Sequence, residues 1–247
     1  MKALGIDVGG SGIKGALVDT RTGRLVSERF RVPTPEPSTP RAVGAAIARL
    51  IRHFEWKGPV GCGLPGPIKR GRLVTMSNLH KGWVGLPVAD ALSKACGHRV
   101  TVLNDADAAG LAEMKFGAGR KESGVVLMLT VGTGIGSALF VDGVLFPNTE
   151  LGQLDIRGKR AERRASAKVK KDKSLSWGAW AKRFDEYLNA VETILLPDLT
   201  IIGGGISRRF KKFAPKLKTR ARLVPAQLQN EAGIVGAALA AARSGRR

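Results

Sequence analysis

The chain is poor in acid, in aromatic rings and in cysteine. Its 247 residues hold 20 Asp plus Glu against 41 Lys plus Arg, 5% aromatic residues and two cysteines. Cys62 and Cys96 have no CxxC partner, which argues against a disulfide framework or a thiolate metal site and for buried or partly buried thiols. His80 has no acidic or cysteine neighbour in sequence, and with His53 and His98 it assembles no zinc cluster. No apolar run reaches the roughly 18 residues of a membrane span, and the N-terminus opens directly on a strand, so a soluble cytoplasmic protein is the expectation.

The shortage of acid leaves a formal charge of +21. Such an excess creates a positive field that attracts polyanions, whether nucleic acid, anionic membrane or polyphosphate, and charge alone does not choose among them. The excess is densest at 157–173 and again from Arg208 to Lys218. A solvated face is the ordinary use of such runs.

What is abundant is glycine, 32 residues, within a 43% hydrophobic composition that suits an alternating α/β protein with close turns. The length allows one large domain or two modest ones. The first motif, LGIDVGGSGIKG at 4–15, ends a short apolar strand in the carboxylate of Asp7 and a turn of Gly9, Gly10, Ser11 and Gly12 followed by Lys14. Glycine lets oxygen atoms approach main-chain amides closely, so the turn suits an anion, and phosphate is the default occupant. It lacks the P-loop order. The segment after Gly15 reads as a second strand rather than the helix of a dinucleotide fingerprint. A glycine hairpin without a ligand is the competing reading.

The same pattern returns. An apolar strand at 125–130 enters Val131-Gly132-Thr133-Gly134, and a buried strand at 199–202 enters Gly203-Gly204-Gly205. Repeated hairpins suggest two similar halves. Between them, an alternating strand is expected over 25–32, a stiff Pro-rich connection over 33–40, and a helix ending near Glu55. The strand 99–103 runs into Asn104-Asp105, where a helix start can orient a carboxylate; a simple cap is the bland alternative. Glu150 and Gln153 could together hydrogen-bond a small polar ligand, or only shape a turn. One amphipathic helix is expected from Ser174 to Leu196, another with Phe210, Phe213 and Leu217 on one side, a strand near Leu223-Val224, and a last helix from about Glu231.

LGIDVGGSGIKG, LPGPI at 64–68, LNDADAAGLAE at 103–113, LTVGTGIGSAL at 129–139, NTELGQL at 148–154 and IIGGGIS at 201–207 occur in an order that resembles the ROK family of sugar kinases. The resemblance extends from residue 3 to about 240 and is nearest to the polyphosphate-dependent glucokinase and glucomannokinase branch. It implies an α/β, actin-like ATPase (ribonuclease H-like) duplicated fold, with two domains around a cleft. The expected domains are 1–103 completed by the helix 229–243, and 104–228.

The resemblance further implies Asp105 as catalytic base and Asn104, Glu150, Gln153, Glu162, Gly66 and Asn78 as sugar contacts. The donor phosphates would lie along Gly9, Gly10, Ser11, Gly12, Lys14, Gly132, Thr133, Gly134 and Gly203, Gly204, Gly205, with Asp7 holding Mg²⁺ through water. Glucose is the expected acceptor and mannose the second. Polyphosphate is the expected donor, with ATP also open.

Two departures matter. Gln153 stands where most of the family has histidine, which puts the histidine's role in doubt and could alter hexose preference. Asp155–Ala161 replaces the cysteine-rich segment, so structural zinc is not expected. An ATP-preferring hexokinase is the alternative enzyme. A sugar-responsive nucleic-acid-binding regulator is the alternative of another class, disfavoured because the chain opens at the phosphate strand and keeps Asp105. No membrane or specific nucleic-acid partner is expected, and monomer and homodimer both stay open.

Overall fold

A strand buried almost throughout, β1 (Lys2–Val8), and a second with a mixed buried and partly exposed pattern, β2 (Ile13–Asp19), form the first hairpin, paired antiparallel from Lys2↔Asp19 to Val8↔Ile13. The strand expected over 25–32 is interrupted: β3 (Arg24–Leu25) and β4 (Phe30–Val32) both pair with β2, with residues 26–29 between them. Ser27 explains part of the break, because its hydroxyl accepts from the Leu17 amide and so satisfies a β2 group from outside the ladder. Helix α1 (Pro40–His53) starts at Thr39, whose hydroxyl accepts from the Ala42 amide, with Pro40 at the first helical position.

The buried strand β5 (Val60–Leu64) pairs parallel with β1, and the small hairpin β6 (Ile68–Lys69) and β7 (Arg72–Leu73) follows it. Helix α2 (Val88–Cys96) leads to β8 (Val100–Asn104), parallel to β5, and β8 runs into α3 (Asp105–Phe116). The sheet order is β3-β2-β1-β5-β8, with β4 also on β2. The C-terminal helix Ala232–Ser244 lies close against it: a side chain at Gly5 or Gly61 would strike the helix's own carbonyls at Ile234 and Ala237.

The structure, a computed structural model, describes residues 1–75 and 79–244. It separates into one unit of Met1–Ala112 with the C-terminal segment from Glu231, and a second of Glu113–Asn230. The first unit thus reaches nine residues past the 103/104 boundary expected from sequence, because Gly236 lets the C-terminal helix sit directly on the Ala108 backbone.

The second unit repeats the plan. β9 (Val125–Val131) and β10 (Ile135–Val141) form an antiparallel hairpin, extended by β11 (Val144–Phe146). The run 157–173 is structured: β12 (Asp155–Ile156) and β13 (Lys159–Arg160) pair, then α4 (Glu162–Ala165) and α5 (Ala167–Asp172) follow. α6 (Trp177–Leu195) is capped by Ser176 and buries Trp180, Phe184, Tyr187, Leu188 and Val191. β14 (Leu199–Gly203) pairs parallel with β9, and β15 (Arg222–Pro225) parallel with β14. The helix expected around Phe210–Leu217 is instead α7 (Phe210–Phe213) between 3-10 turns at Gly205–Arg209 and Ala214–Lys216, since Pro215 cannot continue it. The C-terminal helix is α8. No described helix is long and apolar enough to cross a membrane.

Candidate active site

The residues singled out in sequence fall into two groups, one in each unit. In the first unit they collect at the carboxyl ends of the parallel strands β1, β5 and β8, where ligands of open α/β sheets bind. Asp7 pairs across the sheet with Lys14 on one side and with Gly63 on the other. Burial pushes its carboxyl above the usual carboxylate range, and the Lys14 ammonium pulls it partly back. The Gly9 amide donates to the Gly12 carbonyl at 3.1 Å, which closes the turn and leaves Gly10 and Ser11 exposed.

The turn after β5 is fastened to the start of α3. Asn104 donates through Nδ2 to the Gly66 carbonyl at 3.1 Å, while its Oδ1 accepts from the Ala106 and Asp107 amides at 2.8 and 3.0 Å. Asn104 is therefore the helix cap and is largely buried by that task. Asp105, the next residue, is half-buried, and its Oδ1 accepts from the Ala106 amide at 2.8 Å. Gly63 packs beside it, and a Cβ there would be in ordinary contact with the Asp105 Cα at 3.5 Å. Asn78 lies outside the described residues. His80, whose Nδ1 accepts from the Gly82 amide at 3.0 Å, caps a 3-10 turn.

In the second unit the glycine turns at 132–134 and 203–205 lie at the ends of neighbouring parallel strands, with Gly203 opposite Thr130. Gly204 has φ +74° and packs on the Val131 backbone, where a Cβ would come within 2.6 Å of the carbonyl oxygen, so no other residue fits there. Beside the first of these turns, Gln153 Nε2 donates to Glu162 Oε1 at 3.0 Å, and Glu162 Oε2 lies so near Gly134 that a Cβ would meet it at 2.5 Å. Glu150 opens the short turn that carries Gln153, and the Gln153 amide donates back to the Glu150 carbonyl at 2.9 Å. Glu150, Gln153, Glu162 and Gly134 are thus assembled around one loop.

The two basic runs meet. The Lys168 amide donates to the Gly132 carbonyl at 3.1 Å, so α5 begins at the glycine turn. Along it, Lys170 Nζ lies 4.3 Å from the Trp177 ring, and Trp177 stacks on Phe213 of α7 with ring centres 6.0 Å apart. Lys171 and Lys173 from one run and Lys211 and Lys212 from the other are exposed. Glu186 offsets part of the first run: the hydrogen bond from Arg157, and then that from Arg164, hold it below the usual carboxylate range.

Three residues escaped the sequence reading. Arg31 Nη2 donates to the Ser11 carbonyl at 2.7 Å, and the Thr34 hydroxyl donates to the Gly9 carbonyl, so β4 and the segment after it brace the first glycine loop. Glu113, fully buried, accepts from the amides of Ala118, Gln227 and Leu228 at 2.8, 3.1 and 2.7 Å. Among the described residues no group of three or more His, Cys, Asp or Glu is arranged to hold a metal ion.

Residues 3–150 match the model of the ROK family. The chain is 50% identical over 238 residues to a protein of Mycobacterium tuberculosis named polyphosphate glucokinase, covering 96% of this chain and 90% of that one. It is 47% identical over 240 residues to the polyphosphate glucokinase of Mycobacterium leprae, covering 97% and 74%. The crystal structure of an inorganic polyphosphate/ATP-glucomannokinase from Arthrobacter sp. strain KM superposes with a TM-score of 0.94 at 45% identity, covering 98% of this chain and 99% of that one. The fold is the two-domain actin-like ATPase fold of sugar kinases.

Proposed function

The chain belongs to the ROK family, and from that premise we propose that it is a hexose kinase transferring the terminal phosphoryl group of inorganic polyphosphate to the 6-hydroxyl of glucose. Mannose is the second acceptor and ATP the second donor. The observation that carries the donor is the junction of the two basic runs at Trp177 and Phe213, with α5 beginning at the Gly132 turn. A chain of phosphates could follow that surface outward from the turn, held by charge-assisted hydrogen bonds.

In this reading Asp105 accepts the proton of the 6-hydroxyl as that oxygen attacks the terminal phosphorus. A new O–P bond forms, the bond to the bridging oxygen breaks, and a polyphosphate shortened by one unit departs. Asn104, Gly66, Asn78, Glu150, Gln153 and Glu162 hold the sugar, because each alcohol stripped of water needs a donor or acceptor. Gln153 already donates to Glu162, so its amide oxygen is the part that would accept from a hydroxyl.

In this reading Gly9, Gly10, Ser11, Gly12 and Lys14 are ligands of the donor phosphates, as are Gly132, Thr133 and Gly134; the turn Gly203–Gly205 takes a nucleoside when ATP is the donor. Asp7 would hold Mg²⁺. One carboxylate plus substrate phosphates is a ligand set this ion commonly takes, burial already disfavours the bare charge on Asp7, and Gly233 leaves beside it the space that a Cβ would fill, 3.5 Å from Cγ. When bound, the ion neutralises charge on the phosphate oxygens.

The test is glucose phosphorylation by the purified protein with Mg²⁺, comparing long-chain polyphosphate with ATP across a salt series. Polyphosphate should drive the reaction, and the rate at low donor should fall as salt rises. Replacing Lys171, Lys173, Lys211 and Lys212 by Gln should raise the KM for long polyphosphate about tenfold or more and flatten the salt dependence. Unchanged KM and salt response would remove the basic surface from the mechanism. Activity with ATP alone would favour the second reading, an ATP-preferring hexokinase, for which the retained Gly203–Gly205 turn is the specific support.

A further inference from the structure

We propose that Arg31 is a ligand of the donor phosphates, a guanidinium fork set at the first glycine loop; the inference rests on the kinase reading above. Three strands place it there. Asp7 of β1 faces Lys14 of β2, and Lys14 faces Arg31 of β4. Directly opposed residues share one face of a sheet, so a carboxylate and two cations form a row beside the loop, and the row is net positive.

The guanidinium has a built berth. Arg31 is exposed, yet its Nη2 donates to the Ser11 carbonyl and its plane lies over Gly12, where a Cβ would come within 2.8 Å of Nη2. Glycine at position 12 therefore opens the space the guanidinium fills. Thr34, three residues on, holds the other end of the loop through the Gly9 carbonyl, so fork and loop are fixed together. Among the described residues Arg31 has no carboxylate ion pair. A guanidinium carries five N–H donors in a planar fork that matches phosphate oxygens, and one donor is spent on Ser11. A residue that only braced the loop would need that single donor and no charge.

Arg31→Gln keeps a donor for the Ser11 carbonyl and removes the charge, while Arg31→Lys keeps the charge and loses the fork. Both should be measured for tripolyphosphate binding by calorimetry without sugar, for donor and glucose KM, and for the salt dependence of binding. Arg31→Gln should weaken tripolyphosphate binding and raise donor KM tenfold or more, with a flatter salt dependence and glucose KM within twofold of the parent. Arg31→Lys should recover part of the binding. Tripolyphosphate binding by Arg31→Gln equal to the parent's, with the same salt response, would overturn the inference. Equal losses in both variants, accompanied by equal falls in Tm, would reduce Arg31 to a brace and overturn it as well. If the parent protein binds tripolyphosphate in an Arg31-dependent way but phosphorylates no hexose, the kinase reading fails and this inference stands.

Discussion

The hairpins β1–β2 and β9–β10 each turn on glycine and each lie beside two parallel strands, yet they draw their charge from different places. In the first unit the charge is in the hairpin and its neighbour strand, as Asp7, Lys14 and Arg31. In the second the turn residues 132–134 are uncharged, and charge arrives from outside, through Glu162 beside Gly134 and through α5, whose first turn hangs on the Gly132 carbonyl. The far parallel strands differ too: β8 ends at Asn104 and is followed by Asp105, whereas β15 ends at Pro225 and is followed by Ala226. A duplicated backbone carries the strand-glycine-turn-strand plan twice and a carboxylate at the end of the far parallel strand once.

That difference is broken most completely at Asp105. Asp105→Asn keeps an oxygen to accept from the Ala106 amide and removes the proposed base, so kcat should fall by about 10²–10⁴, with glucose KM within a few-fold and the thermal transition little changed. Steady-state kinetics decide the point. A variant within tenfold of the parent in kcat would move the base elsewhere.

Asp7 tests the charged side of the first hairpin. Its pKa in the folded protein lies above the reference value of 3.8, so the folded state holds that proton more tightly than the unfolded chain. Stability therefore declines as pH rises from near 3.8 through the folded pKa, and the cost is complete only above that pKa. Asp7→Asn should raise Tm at pH 7 in Mg²⁺-free buffer by a few degrees, raise it less near pH 4, and abolish phosphoryl transfer. Thermal melts at the two pH values are the check; a lower Tm at pH 7 would mean that ionised Asp7 is satisfied by its surroundings.

Local patterns made much of this legible. The β1 and β9 hairpins, the capped α1 and the apolar face of α6 each declare themselves within a window of a few residues, and the structure has them within a residue or two of the expected bounds at most ends. The failures share a cause, which is partners far away in sequence. Arg31 and Thr34 sit in and just after a strand read as an ordinary alternating one, and only pairing with β2 brings them to residues 9–12. Glu113 looks like an exposed helical acid until Gln227 and Leu228 supply its donors. Local signals were also overruled: Phe210, Phe213 and Leu217 have helical spacing, but Pro215 breaks the helix.

The smallest expected effect separates the two hairpins by a single methyl group. Gly12 and Gly132 both lack a left-handed φ, so neither is glycine for backbone reasons. Their surroundings differ: a Cβ at Gly132 meets nothing within 4 Å, whereas one at Gly12 meets the Arg31 guanidinium. Gly132→Ala should therefore raise stability by about 0.4–1 kcal/mol through the unfolded chain's lost freedom. Gly12→Ala displaces a flexible side chain and breaks the Arg31 bond to Ser11, a loss of about 1 kcal/mol, or roughly 2–4 °C in Tm. Because the whole penalty acts through Arg31, Gly12→Ala should cost almost nothing when introduced into Arg31→Ala, and the two substitutions should be far from additive. Calorimetric melts of the four proteins of that cycle measure the coupling directly. Additive losses would show that Gly12 is required by the loop itself, and the two hairpins would then differ in their backbones as well as in the charges around them.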